Sequence, residues 1–183
     1  MIGLIQNETI YEYDIRSLIL AFMIGEKIEL TDHVDSIYDF VLEVFYEKEK
    51  VWLKLYQKGE FLQEETLTGN YQEKRTFKNK MKRGIYRLFS DALQKELPWG
   101  TLTGIRPTKI VFDGFAKGKP REQIIEDMQR DYLTSKGKAI LCTEVVEKER
   151  DLLRRFPYQN GYSLYIGIPF CPSTCLYCSF ASY

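Results

Sequence analysis

The sequence predicts an α+β domain over residues 1–157, followed by a short segment of different character over 158–183. Three observations predict it. Apolar residues alternate at period two between Tyr38 and Tyr56, and helical spacing takes over from Phe77. Three of the four cysteines then fall within the eight residues from Cys171 to Cys178.

Met1 to Gln6 reads as a short strand, and Tyr11 to Ile24 as a helix with Tyr11, Ile15, Leu18, Ile19 and Phe22 on one face. Tyr38, Phe40, Leu42, Val44 and Tyr46 share one side of a strand. The run Glu47-Lys48-Glu49-Lys50 turns the chain into a second alternating segment, Val51 to Tyr56, which predicts an antiparallel hairpin. A third strand is expected over Glu65 to Tyr71, interrupted by Gly69-Asn70.

From Phe77 to Leu97 the stripe Met81, Ile85, Leu88, Phe89, Ala92, Leu93 predicts a helix closed by Pro98-Trp99-Gly100. Arg106-Pro107 marks a helix start, because proline fits the first turn where its missing donor costs nothing. Another helix follows Pro120, with Ile124, Ile125 and Met128 inward. The last runs from about Ser135 to Phe156, with Cys142, Val145, Glu149, Leu152 and Phe156 expected along its buried side. Nothing repeats, and no segment is of low complexity.

Composition excludes several function classes. Lysine plus arginine equals aspartate plus glutamate at 26 each, so no net field draws the chain to nucleic acid or to an anionic membrane. The cluster Lys78, Lys80, Lys82, Arg83 is expected to be one solvated helix face. The longest apolar run, Leu18 to Ile24, is far below the roughly 20 residues of a membrane-spanning helix. Glu8, Glu12 and Asp14 stand where a secretory leader would be basic, so a cytoplasmic location is expected. Cysteines in a reduced compartment are metal or redox ligands more often than disulfides.

The spacing Cys171-x3-Cys175-x2-Cys178 suits an iron–sulfur cluster. Thiolates are soft donors, and a cubane takes its ligands from one short, bent segment. Three thiolates leave one iron open. A zinc site is the alternative, but it would need a fourth ligand. The single histidine, His33, is remote and expected to be exposed, and Cys142 is expected to pack in a core as a small hydrophobe. The zinc reading would make residues 1–157 a metal-stabilised binding module.

The loop resembles that of the radical S-adenosylmethionine (SAM) enzymes. The resemblance implies a [4Fe–4S] cluster on Cys171, Cys175 and Cys178, whose open iron binds SAM. It places Tyr177, just before the third cysteine, against the adenine. It also makes Ser163 to Ile168 the first strand of a partial (β/α)6 barrel, with the cysteine loop directly after it. A domain that opens this way is not complete at Tyr183, so the chain is expected to be an N-terminal piece of a longer protein and catalytically silent by itself.

More narrowly, Tyr165-Ile-Gly-Ile-Pro-Phe-Cys171-Pro-Ser-Thr-Cys175-Leu-Tyr-Cys178-Ser-Phe resembles the oxygen-independent coproporphyrinogen III oxidase family. The phrase Trp99-Gly-Thr-Leu-Thr-Gly-Ile-Arg-Pro-Thr-Lys109 is similar to a signature of its coproporphyrinogen dehydrogenase branch of HemZ type. The resemblance implies oxidative decarboxylation of two propionates of coproporphyrinogen III to vinyl groups, giving protoporphyrinogen IX. It further implies a low-potential electron donor such as flavodoxin or ferredoxin, and a SAM-facing role for Tyr165.

Two positions depart from the authenticated oxidases. Gly167 stands where they have a histidine, and Phe180 where they have a further cysteine. Related haem chaperones share both departures, so binding and transfer of haem is the alternative function. Finally, Arg106 and Lys109 beside a helix N-terminus could hold a carboxylate or phosphate, although a solvated basic pair is the expected reading.

Overall fold

The computed structural model describes residues 1–104, 106–154, 161–162, 164–167 and 171–179. Two compact units are distinguished, Met1–Glu147 and Lys148–Tyr183. The sequence places the domain boundary after residue 157, and residues 155–160 lie outside those described.

The first unit is built on a five-stranded mixed sheet of order β2-β1-β3-β4-β5. Strand β1 (Ile2–Gln6) leads into helix α1 (Glu12–Phe22), which returns the chain to β2 (Ile28–Leu30), paired parallel to β1. A parallel pair needs such a crossover, since a tight turn can only reverse the chain. β3 (Phe40–Glu47) lies parallel to β1 on its other side, with Ile2 opposite Phe40. From there β3, β4 (Lys50–Gln57) and β5 (Glu60–Thr68) form an antiparallel meander.

Two features of the sheet differ from expectation. β2 is only three residues long and half-exposed, too short to show a period. β5 begins at Glu60 rather than Glu65, because Lys58-Gly59 is itself a hairpin turn. Both of its residues have positive φ, 51° and 87°, the backbone that a two-residue loop needs to match strand twist.

Helix α2 (Lys74–Leu93) covers one face of the sheet together with α1. Ile15, Leu18, Ile19, Leu42, Leu53, Leu55, Met81, Ile85 and Phe89 are fully enclosed between them. The close approach depends on Gly84, where an added Cβ would lie 2.8 Å from Leu53 Cδ1. α2 ends at Leu93 rather than Leu97, with Gln94 left-handed at φ 48°. The Tyr86 hydroxyl then accepts the Leu97 amide (3.0 Å), which fixes the chain beyond the helix.

Helices α3 (Pro107–Ala116), α4 (Arg121–Tyr132) and α5 (Lys136–Leu153) enclose a second core of Val111, Ile124, Ile125, Met128, Ala139, Cys142 and Val146. Pro107 opens α3 at its first position, as its fixed φ favours. The buried side of α5 is Ala139, Cys142, Thr143 and Val146, so of the expected stripe Cys142 is buried and Val145 and Leu152 are not. Val145 and Leu152 are 46% and 57% exposed, about a third of a turn away. The side chains on that face are small, and Thr143 donates its hydroxyl to the Ala139 carbonyl, 2.8 Å away.

The α+β architecture agrees with the sequence. For the barrel strand expected over 163–168, the described residues 164–167 belong to no strand. A parallel barrel strand exists only beside neighbours that share its ladder, and among the described residues none flanks Leu164–Gly167.

Candidate functional site

The cysteine loop, described over 171–179, is held by one local element. The Cys178 amide donates to the Cys175 carbonyl over 2.9 Å. This three-residue reach closes a β-turn over Leu176-Tyr177 and brings the backbone of two cysteines within about 7 Å. Cys171 and Cys175 are exposed and Cys178 is half-buried. Leu176 and Tyr177 stand almost fully in solvent.

Among the described residues, no three histidine, cysteine, aspartate or glutamate side chains converge as a metal-binding group. The turn itself joins the backbone of Cys175 and Cys178. Its donor chemistry nonetheless fits a cluster: three thiols in one short bend. The other two residues named for zinc are placed elsewhere. Cys142 is buried in the second core, where burial pushes its thiol pKa up. His33 is exposed in the β2–β3 connection, and its hydrogen bond with Asp32 (2.7 Å) raises its pKa.

Tyr165 is 91% exposed, and a Cβ added at Gly167 would lie 3.1 Å from its Cε1. The tyrosine ring thus folds over the position where authenticated oxidases have a histidine. Phe180 lies outside the described residues.

The Trp99–Lys109 segment is anchored at several points. Gly100 has φ +54°, and a Cβ there would meet the Tyr132 carbonyl at 2.1 Å. The same carbonyl accepts the Thr101 amide at 2.8 Å. Arg106 and Lys109 are both exposed at the start of α3, as a solvated basic pair would be. Lys82 corrects the expected solvated face of α2. It is 5% exposed, its Nζ donates to Thr103 Oγ1 (2.8 Å), and burial lowers its pKa to about 8. Its place was readable, since Lys82, Tyr86 and Phe89 follow one another at helical spacing beside the apolar stripe.

Comparison with known proteins adds the last observation. No family profile matches the chain, and no solved structure matches it. A curated relative, the oxygen-independent coproporphyrinogen-III oxidase-like protein HemZ of Bacillus subtilis (strain 168), is 38% identical over 119 residues. Those residues are 61% of this chain and 23% of that protein, so the match spans under a quarter of the relative. The chain is therefore similar to an oxygen-independent coproporphyrinogen-III oxidase-like protein of HemZ type, as its two motifs predict.

Proposed function

We propose that this chain is part of a radical SAM oxidoreductase of porphyrin biosynthesis that decarboxylates two propionates of coproporphyrinogen III without oxygen. The supporting observation is the Cys171-x3-Cys175-x2-Cys178 loop in a chain 38% identical to a HemZ protein over 119 residues. Cys171, Cys175 and Cys178 would hold a [4Fe–4S] cluster as thiolates, and Tyr165 and Tyr177 would line the SAM site. When bound, the cluster and SAM supply the one-electron chemistry that removes hydrogen from an unactivated carbon.

The chain's own part is to present ligands and shield them. The Cys175–Cys178 turn sets two thiols at one end of the loop. Leu176 and Tyr177, exposed at its tip, are the apolar cover for a cofactor that must be kept from water. A low-potential flavodoxin or ferredoxin would deliver electrons in the cytoplasm. The partial barrel begins at residue 158 in this reading, and residues 1–183 alone are catalytically silent.

A second reading, haem binding and transfer on the same scaffold, is favoured by Gly167, whose missing side chain the Tyr165 ring fills. The deciding experiment uses the full-length protein, reconstituted without oxygen and given reductant, SAM and coproporphyrinogen III. Joint appearance of 5′-deoxyadenosine and protoporphyrinogen, dependent on the three cysteines, supports the oxidase. SAM turnover with untouched porphyrinogen gives the ground to haem transfer.

A further inference from the structure

Helices α1 and α2 cover only one face of the sheet. The opposite face is built from the alternate residues of β3, β4 and β5, and the strand registers arrange them in three adjacent rows. Glu47 and Lys50 pair in a fourth at the hairpin end, while Val41, opposite Tyr56, is buried. Phe45 pairs with Trp52 in the first row, Glu43 with Lys54 and Lys54 with Glu64 in the second, and Tyr56 with Phe61 in the third. Ring contacts confirm the outer rows, at 6.2 Å for Phe45–Trp52 and 5.8 Å for Tyr56–Phe61. Phe45 and Phe61 are 46% and 57% exposed. A cavity of about 350 Å³ between Trp52, Phe45 and the charged row opens on this face.

An antiparallel sheet that merely faces water alternates apolar-in with polar-out. This one instead displays aromatic rows on either side of a carboxylate–ammonium–carboxylate row, and exposed apolar patches of this kind mark interaction sites. The charge row says what fits. It is symmetric about Lys54, so a two-fold stack of a second copy centred on that residue places Lys54 over Lys54 and carboxylate over carboxylate. Full overlap of two such faces is therefore opposed by like charges. Two carboxylates against one ammonium likewise repel a phosphate backbone.

The complement is a row of cation, acceptor, cation. Adjacent strands are about 4.8 Å apart, so Glu43 and Glu64, two strands apart, are separated by roughly 10 Å. On an α-helix that is about seven residues, two turns along one face. We propose that the uncovered face of the sheet docks an amphipathic α-helix of a polypeptide partner, laid across the strands. In it, two cations about two turns apart meet Glu43 and Glu64, and apolar side chains fill the rows on either side. Arginine suits the cationic positions, because its planar guanidinium can stack on Trp52 while bridging a carboxylate. This proposal stands apart from the cluster loop and does not depend on the porphyrin reading.

The test uses the 183-residue chain and three probes: a capped helical peptide with leucines on one face and two arginines about two turns apart, the same peptide with glutamate for both arginines, and a single-stranded oligothymidylate. The arginine peptide is expected to bind and to shift the NMR signals of Phe45, Trp52, Lys54, Tyr56 and Phe61. The E43Q/E64Q variant should bind it about tenfold more weakly, the effect of losing charge-assisted contacts. Its unchanged thermal midpoint would show that folding is intact. Failure of the arginine peptide to bind, equal binding of the glutamate peptide, perturbation of the same residues by the oligonucleotide, or dimerisation of the chain through this face would each overturn the proposal.

Discussion

The Nζ of Lys82 donates to Oγ1 of Thr103 over 2.8 Å, so a buried cation of helix α2 bonds directly to the Trp99–Lys109 segment. Burial holds the Lys82 pKa at about 8, below the ordinary lysine value of 10.5, with Asp14 raising it and Lys78 lowering it further. The folded protein thus binds fewer protons than the unfolded one between about pH 8 and 10.5, and the Lys82 contribution to stability rises with pH across that window. Below about pH 8 the whole penalty of the buried charge applies.

Other groups move the opposite way. The Met1 ammonium, raised by its bonds to Asp39 and Glu26, loses its contribution as pH climbs, and so does the Cys142 thiol, raised by burial. Comparison with Lys82→Met removes both. The variant should be more stable than the wild type at pH 7, by an increment that shrinks as pH rises from about 8 toward 10.5. Denaturant titrations at several pH values read this, and an increment independent of pH would refute the buried-cation account.

The ligand assignment predicts unequal cysteines. Cys171→Ala, Cys175→Ala and Cys178→Ala in the full-length protein should each lose iron and acid-labile sulfide. Cys142→Ala should keep both and lose about 1 kcal/mol of stability from vacated core volume. Iron loss in the Cys142 variant would revive a four-ligand site.

Glycine spacing makes a stability prediction. Gly84→Ala forces its methyl against Leu53 and Leu67, and overpacking of this kind costs about 1–3 kcal/mol. Gly100→Ala should be worse, because its Cβ would overlap backbone carbonyls of residues 132 and 133, which have no rotamer to yield. Thermal midpoints in the order wild type, Gly84→Ala, Gly100→Ala test the ranking.

Two tyrosines in one cluster should respond with opposite signs. Tyr11 donates its hydroxyl to the Tyr71 carbonyl at 2.7 Å, while the buried Tyr46 hydroxyl has no partner among the described residues. Tyr11→Phe therefore strands an acceptor and should cost about 1 kcal/mol, whereas Tyr46→Phe should be neutral or stabilising. Chemical denaturation of both variants measures the contrast.

Periodicity made much of this fold legible. The helical stripes of α1 and α2 and the alternation of β3 and β4 each recur over enough residues to declare themselves, and the enclosed residues are those of the stripes. β2 was invisible because three residues carry no period, and its pairing to β1 comes from the crossover alone. The Lys58-Gly59 turn was missed although glycine after a polar residue is a hairpin signal. The face of α5 was misread because a helix packed through alanine, cysteine and threonine has its larger apolar side chains outside. The cysteine loop is legible in sequence as a set of three thiols at close spacing. Their convergence on one point is not among the features of the described residues, since a donor set without its bound group has little to hold it in one arrangement.

The strand order also governs how the chain assembles. β3, β4 and β5 join neighbours in sequence, so the meander closes over short loops and can form early. β1 is different: it precedes β2 and β3 in the chain yet fills the slot between them, with Ile2 matched to both Ile28 and Phe40. Until those residues have been synthesised, its hydrogen-bonding groups have no ladder to join. The strand made first in this sheet is thus among the last to be locked, and a nascent chain halted before β3 carries an apolar strand with one edge unpaired, the kind of species on which chaperones act.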